Sequence, residues 1–343
     1  MRVGMLTGGG DCPGLNAVIR AAVRKGIEQY GFELLGIKRG WAGMVDPEAE
    51  QIDLRSVSGI LQRGGTILGT SRTNPAKIEK GFEKCANAFK ILKMDALIAI
   101  GGEDTLGVAN KLAKMGMPIV GAPKTIDNDL NATDFTFGFD TAVNIVMEAV
   151  DRLHTTAESH DRVMVVEVMG RHAGWIAVYG GISGGADVIL IPEEKFDIEE
   201  VCTLLKRRHA RGKNFSIVVA AEGALPKDTN SFMTKGNELD NFGHVKLGGI
   251  GEALAKEIEK RTGFETRATV LGHIQRGGSP TAFDRVLGTR FGIAAIDLVA
   301  KKDWGKMVAL QGNKIVAVPL EAAVGTLKTV DKDLFNIAKV FFG

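Results

Sequence analysis

Residues 1–20, MRVGMLTGGGDCPGLNAVIR, pass from an apolar run at 2–7 into three consecutive glycines and then into helical spacing. A buried strand that stops at glycine and reopens as a helix is the first half of a βαβ unit. The same event recurs outward along the chain. Apolar runs at 96–100, 119–120, 162–169, 188–191 and 215–221 mostly end at glycine, as at Gly101-Gly102, Gly170 and Gly223. Helical patterns lie between or after them, at about 14–29, 105–115, 138–158, 197–211, 249–262 and 281–301. This alternation predicts an α/β fold on parallel sheets. Ligands of such sheets bind beyond the carboxyl ends of the strands, where this chain keeps its glycines and polar side chains. A glycine turn after a strand in both halves suggests two sheets of related build.

Composition narrows the function class. At roughly 150 residues per domain, 343 residues make about two domains. With 45% hydrophobic and 24% charged residues the chain has an ordinary globular core. Lys+Arg 43 against Asp+Glu 41 leaves a net charge of +2, too small for a dedicated nucleic-acid binder. Cys12, Cys85 and Cys202 show no C-x-x-C spacing, so neither a disulfide framework nor a zinc site is read, and a reducing cytoplasm is expected. The first residues lack the pattern of a signal peptide, and no run approaches about 18 apolar residues, so no membrane partner is expected. Residues 224–248 are polar and turn-rich and read as a surface excursion before the helix near Gly249.

Three glycine-flanked segments carry chemistry. GGGDCPG at 8–14 offers backbone N–H groups and a helix start to an anion, or is merely a tight turn. Pro13 breaks a G-x-G-x-x-G reading, and no Gly-Lys pair is followed by Ser or Thr, so dinucleotide and Walker A loops are both absent. GGEDTLG at 101–107 places Glu103 and Asp104 at a strand end, suited either to magnesium or to the first turn of a helix. In PKTIDND at 123–129, spacing by two puts Thr125, Asp127 and Asp129 on one side of an extended segment. One carboxylate there can act as a general base beside a metal-binding neighbour, with Lys124 as a charge for phosphate; an Asx turn at Asn128 is the alternative. Downstream, Met169-Gly170-Arg171, Glu222, Arg267, His273 and Arg276 cluster near strand ends, and Arg72 follows GGTILGTS. His154, His160, His172, His209 and His244 read as structural. Arginine forks, acidic loops and a glycine cradle together describe phosphoryl transfer between two anionic ligands.

These segments, in this order, resemble the phosphofructokinase family: GGDCPGLNA at 9–17, GGTILGTSR at 64–72, GGEDT at 101–105, PKTIDND at 123–129, MGR at 169–171, AEG at 221–223 and LGHIQRGGSP at 271–280. The resemblance implies two Rossmann-like three-layer α/β domains with the active site in the cleft between them. The donor domain would be 1–138 plus 274–304, and the fructose 6-phosphate domain 139–273 plus 305–343. Asp127 would be the base on the 1-hydroxyl of fructose 6-phosphate, with Thr125 and Arg171 stabilising the phosphoryl group in transfer and Gly10 and Arg72 on the donor side. Arg162, Met169, Gly170, Arg171, Glu222, Arg267, His273 and Arg276 would hold the sugar phosphate, Arg162 and Arg267 coming from a neighbouring subunit of a homo-oligomer, dimer or tetramer. Magnesium is expected at Glu103, with Asp129 as an indirect partner.

Asp104 and Lys124 stand where ATP-using members typically carry glycine, and the pair resembles the pyrophosphate-dependent branch. Asp104 would set a carboxylate where the α-phosphate of ATP should lie. ATP as donor, with Trp41 stacking on the base, and a catalytically silent sugar-phosphate-binding subunit are the alternatives. In the family's basic effector pocket Arg20, Arg24, Arg211 and Lys213 match, but Leu54 and His154 replace arginines, which implies little allosteric control.

Overall fold

The computed structural model of the protein describes residues 1–227 and 248–343 in full, and between them the backbone of Thr234–Leu239 and Val245–Leu247. The strands in chain order are β1 Arg2–Thr7, β2 Glu33–Ile37, β3 Ala49–Ile52, β4 Ala96–Gly101, β5 Ile119–Thr125, β6 Phe137–Gly138, β7 Val163–Val168, β8 Val188–Leu190, β9 Ser216–Ala221, β10 Thr234–Leu239, β11 Val245–Leu247, β12 Thr266–Val270, β13 Lys306–Gln311 and β14 Lys314–Pro319. The helices are α1 Leu15–Tyr30, α2 Ala42–Val45, α3 Gly81–Ile91, α4 Glu103–Lys114, α5 Phe139–Ser159, α6 Trp175–Ser183, α7 Ile198–Ala210, α8 Ile250–Thr262, α9 Ala282–Ala300, α10 Leu320–Val324 and α11 Lys332–Lys339. The excursion expected over 224–248 lies mostly outside the described residues, as does His244. Among the described residues no helix is long and apolar enough to cross a membrane.

Two α/β units result, each Rossmann-like. The first sheet runs β14-β13-β5-β4-β1-β2-β3 with β6 beside β5, and the second runs β12-β7-β9-β8. Strands β1, β4, β7 and β9 are buried along almost their whole length, which is why they read as continuous apolar runs. Each fully buried Val, Leu or Ile contributes about 1.5–3 kcal/mol. One apolar layer packs α1 and α9 on the first sheet, where a Cβ on Gly292 would fall 2.3 Å from the Val18 carbonyl oxygen; only glycine admits the helices so close.

Register decides where the site forms. In the first sheet Thr7 pairs with Ile100 and Gly101 with Pro123, so β1, β4 and β5 end level with one another. The chain turns away from β1 in opposite directions, toward β2 and toward β4, which opens a crevice at their carboxyl ends. In the second sheet Val168 pairs with Ala221 and Val270 with Glu167, so β7, β9 and β12 also end together.

The C-terminal segment departs from expectation. Residues 305–343 do not belong wholly to the second unit: β13 pairs in parallel with β5, and β14 returns antiparallel to it, extending the first sheet. Buried Met307, Val308 and Ala309 require a covered sheet position, and β5 supplies it. The last helix, α11, packs on α6 and β8 of the second unit.

Candidate active site

Level strand ends bring the glycine turn at 8–10, the first turn of α4 and the segment 124–129 to one cavity, lined among others by Gly10, Glu103, Asp104, Lys124, Thr125 and Asp127. Arg72, Asp129, Arg171 and Arg276 complete it. An adjoining cavity is lined by Met169, Glu222 and His273, with Arg72, Asp127, Arg171 and Arg276 shared between the two. Asp127 therefore stands at the junction, flanked by three arginines from separate loops.

Each loop has an identifiable fastening. Asn16 at the start of α1 donates to the carbonyls of Arg63 and Gly64 at 3.0 and 3.3 Å and accepts from the N–H of Ile67 at 2.9 Å. Thr7 Oγ1 donates to the Gly69 carbonyl at 2.9 Å, and the Gly9 N–H to that of Ser71 at 3.2 Å, which carries Arg72 over the cavity. On the second unit, the N–H of Gly223 donates to Gly170 at 3.1 Å, and a Cβ on Gly223 would fall 2.0 Å from the Arg171 carbonyl oxygen. The wholly buried Gln275 accepts from the N–H of Met169 at 3.2 Å and donates to the Gly272 carbonyl at 3.0 Å, tying β7's end to the turn bearing His273 and Arg276.

Asn128 explains how Asp127 and Asp129 share the cavity. Strand β5 ends at Thr125, and Asn128 has φ +52 with its side chain buried, accepting from the N–H of Thr136 at 3.0 Å. The turn, not a strand pleat, aims both carboxylates inward, and the Asn128 side chain braces a distant residue instead of closing a local Asx turn. Asp127 accepts the field of its neighbours: burial pushes its proton affinity up, opposed by Arg276, Arg171 and Lys124. Its N–H donates to Thr125 Oγ1 at 3.1 Å, while its Oδ1 is buried without a hydrogen-bond partner among the described residues. Asp129 is pushed up to about 7 by burial, by Asp127 and by Glu103. Glu222 likewise rises to about 7, from burial and Asp127, against Arg171.

Lys124 is buried, its ammonium donating to the Gly10 carbonyl, and burial lowers its pKa, with Arg276 adding to the effect. Asp104 sits in the first turn of α4 on the same wall.

Other expected residues lie elsewhere. Arg162 and Arg267 line neither cavity: both stand at the amino ends of β7 and β12, and both pair with Glu265, at 2.8 and 2.5 Å. Parallel strands put those ends at the opposite edge of the sheet. Gly170 lies behind the cavity wall with φ +134, turning the chain from Met169 to Arg171. Trp41 cannot stack on a base, because it is 1% exposed in the core with Leu35, Met44 and Phe89. The His154 ring is bound to the Gly184 carbonyl at 2.8 Å.

Among the lining residues that the sequence reading did not single out are His172, Cys12 and Glu167. His172 borders the first cavity although it reads as structural, and its position directly after Arg171 is the signal that was available. Cys12 also lines it, its thiol pushed up to about 12 by burial and so inert as a nucleophile. Glu167, a lone charge in the apolar strand VMVVEV, lines the second cavity and accepts from the N–H groups of Gly249 and Gly251 at 3.1 and 2.8 Å. It fastens the start of α8 beside Glu222.

Residues 2–299 match the sequence model of the family described as Phosphofructokinase. A pyrophosphate–fructose 6-phosphate 1-phosphotransferase of Streptomyces coelicolor is 60% identical over 344 residues, covering 100% of both chains. An ATP-dependent 6-phosphofructokinase 2 of the same organism is 52% identical over 342 residues, again covering both chains fully. Among solved structures, phosphofructokinase from Saccharomyces cerevisiae superposes with a TM-score of 0.83 at 30% identity, over 99% of this chain and 46% of that one.

Proposed function

The chain belongs to the phosphofructokinase family of phosphotransferases, and from that premise we propose that it moves a phosphoryl group from pyrophosphate to the 1-hydroxyl of fructose 6-phosphate. The products are fructose 1,6-bisphosphate and phosphate, in a reversible step of glycolysis and gluconeogenesis in the cytoplasm. The observation that carries the donor assignment is that Asp104 and Lys124 line the cavity of Asp127. Buried Trp41 supports it, since that ring is not offered to an adenine.

In this reading Asp127 removes the proton of the 1-hydroxyl, and the freed oxygen attacks the nearer phosphorus of pyrophosphate. The bond to the bridging oxygen breaks, and the second phosphate leaves toward Lys124 and Gly10. A carboxylate whose proton affinity burial has raised is a stronger base than a solvated one. Arg72, Arg171 and the Thr125 hydroxyl meet charge as it develops on the transferring group, where fixed charges cost no reorganisation. Arg276 and His273 hold the sugar's phosphate, with Met169, Gly170 and Glu222 shaping the sugar pocket. Arg162 and Arg267 would serve a neighbouring subunit's site, in a dimer or tetramer.

The acidic residues fit magnesium. Glu103 offers a hard oxygen ligand and Asp129 an indirect partner; burial first, and then the neighbouring Asp127 and Glu103, hold the Asp129 carboxyl up at about 7, and a cation placed there would favour its charged form. No three His, Cys, Asp or Glu form a metal cluster among the described residues, so Glu103, with Asp129 as indirect partner, is what this chain would offer the ion. Magnesium held there would supply positive charge against the phosphate oxygens.

The test is turnover of the purified protein with fructose 6-phosphate and magnesium, pyrophosphate and ATP being compared at equal concentration. Pyrophosphate should be strongly preferred, and Asp127→Ser should lower turnover by about 10²–10⁴. Preference for ATP, the donor named for the 52% identical relative, would overturn the donor assignment alone. Activity with neither would favour a silent, sugar-phosphate-binding subunit, a reading that leaves Asp127 without a purpose.

A further inference from the structure

The family model ends at residue 299, yet the chain beyond it returns to the candidate active site. Leu327 forms an antiparallel bridge with Leu130, and the N–H of Lys328 donates to the Asp129 carbonyl at 2.9 Å. The Lys328 ammonium then reaches around the following turn and donates to the carbonyls of Thr133 and Asp134 at 2.9 and 2.7 Å. One residue thus grips both ends of the loop that leaves Asp127 and Asp129.

The opposite edge of the same short stretch is bound to the second unit. Trp175 Nε1 donates to the Lys328 carbonyl at 2.9 Å, and its ring centroid lies 5.3 Å from the Lys328 ammonium. Two residues on, the N–H of Val330 donates to Glu193 Oε1 at 2.8 Å. The Glu193 carboxylate also accepts from the N–H of Gly174, at 3.0 and 3.1 Å. Gly174 and Trp175 open α6, three and four residues after Arg171.

We propose that residues 327–330 are a strap across the cleft that fixes the spacing of Asp127 and Arg171, with Lys328 as its positioning residue; this rests on the roles given to those two residues above. Asp127 and Arg171 belong to different sheets, so no single element sets their distance. A misplacement of about 1 Å in a near-attack geometry costs on the order of 10²-fold in rate. The Lys328 side chain is more than a solvated surface charge: it is half-buried between two carbonyls and an aromatic face. Lysine normally keeps its head in water.

Lys328→Met in the full chain tests the strap. Turnover should fall by about 10- to 100-fold while KM for fructose 6-phosphate stays within about twofold, because His273 and Arg276 are held by other fastenings. Hydrogen exchange should quicken in both 127–134 and 171–176 and stay unchanged in the strands of both sheets. Unchanged turnover, or faster exchange confined to 326–331, would overturn the proposal. If this variant does not fold, Trp175→Phe, which deletes only the hydrogen bond to the Lys328 carbonyl, should give smaller changes in the same two readouts, and no change in exchange at 127–134 would count against the strap. If the wild type turns over neither donor, the functional reading fails, and the exchange pattern still decides whether 327–330 couples the two loops.

Discussion

The guanidinium of Arg276 rests on Gly10 so closely that a Cβ at residue 10 would fall 2.0 Å from its Nη1. Gly10 belongs to the turn after β1, and Arg276 lines both cavities, so this contact joins the two halves of the site.

Gly10→Ala follows directly. The obstructing atom is the end of a flexible side chain, so the fold can accommodate the methyl by moving Arg276, and the melting temperature should change little. In the proposed reading the displaced guanidinium no longer holds the sugar's phosphate beside the donor cavity. The expected outcome is a fall of about 10- to 100-fold in kcat/KM for both substrates, measured by steady-state kinetics beside a thermal melt. A variant with normal kinetics would separate Arg276 from the site.

Stability should respond to pH with a definite sign. Asp129 and Glu222, whose ordinary values are 3.8 and 4.5, are both raised to about 7 in the folded protein, burial being the first cause for each. Between those limits the folded state binds more protons than the unfolded one, so the stability linked to these groups is full below about pH 4 and is lost as pH rises through about 7. The melting temperature of the ligand-free protein should therefore decline from about pH 6 to pH 8. Asp129→Asn with Glu222→Gln should flatten that decline, and an unchanged slope would assign it to other groups.

The legible parts of the chain are those where burial leaves a pattern. Strands covered on both faces become unbroken apolar runs, and level strand ends put Gly10, Glu103 and Asp127 together as the order of motifs implies. Strands β13 and β14 carry short apolar runs, MVAL at 307–310 and IVAV at 315–318, with no helical pattern between them to mark a further βαβ unit, so the antiparallel extension of the first sheet was passed over. Helix α6, WIAVYGGIS, has almost no polar face and so no amphipathic period. Spacing by two brought Asp127 and Asp129 to one cavity for the wrong reason, because a left-handed Asn128 does the turning. No local signal reveals the clasp on Lys328, whose partners lie at Asp129, Thr133 and Asp134, far back in the chain.

Trp41 carries the opposite expectation from that of a base-stacking residue. It is 1% exposed among apolar side chains, so Trp41→Ala should destabilise the protein by about 3–5 kcal/mol in a denaturant titration. Trp41→Phe, which keeps most of the volume, should leave the ratio of pyrophosphate to ATP turnover unchanged. A shift in that ratio would return the ring to the donor site.

In the proposed reading Asp104 is the residue on which the choice of donor turns. Two like charges about 4 Å apart at an effective dielectric of about 20 repel by about 4 kcal/mol, roughly three orders of magnitude in affinity. In that reading pyrophosphate ends before the position of a third phosphate, whereas ATP places its α-phosphate against the wall that Asp104 lines. Asp104→Gly should lower KM for ATP by about 10²–10³, while KM for pyrophosphate changes little because buried Lys124 remains against Gly10. Glycine at the second position of α4 also weakens the helix by about 1 kcal/mol, so Asp104→Asn, which removes the charge and keeps the side chain, is the companion variant. Charge repulsion predicts that both variants admit ATP. Recovery with glycine alone would assign the exclusion to the volume of the side chain, and recovery with neither would move the donor preference away from residue 104.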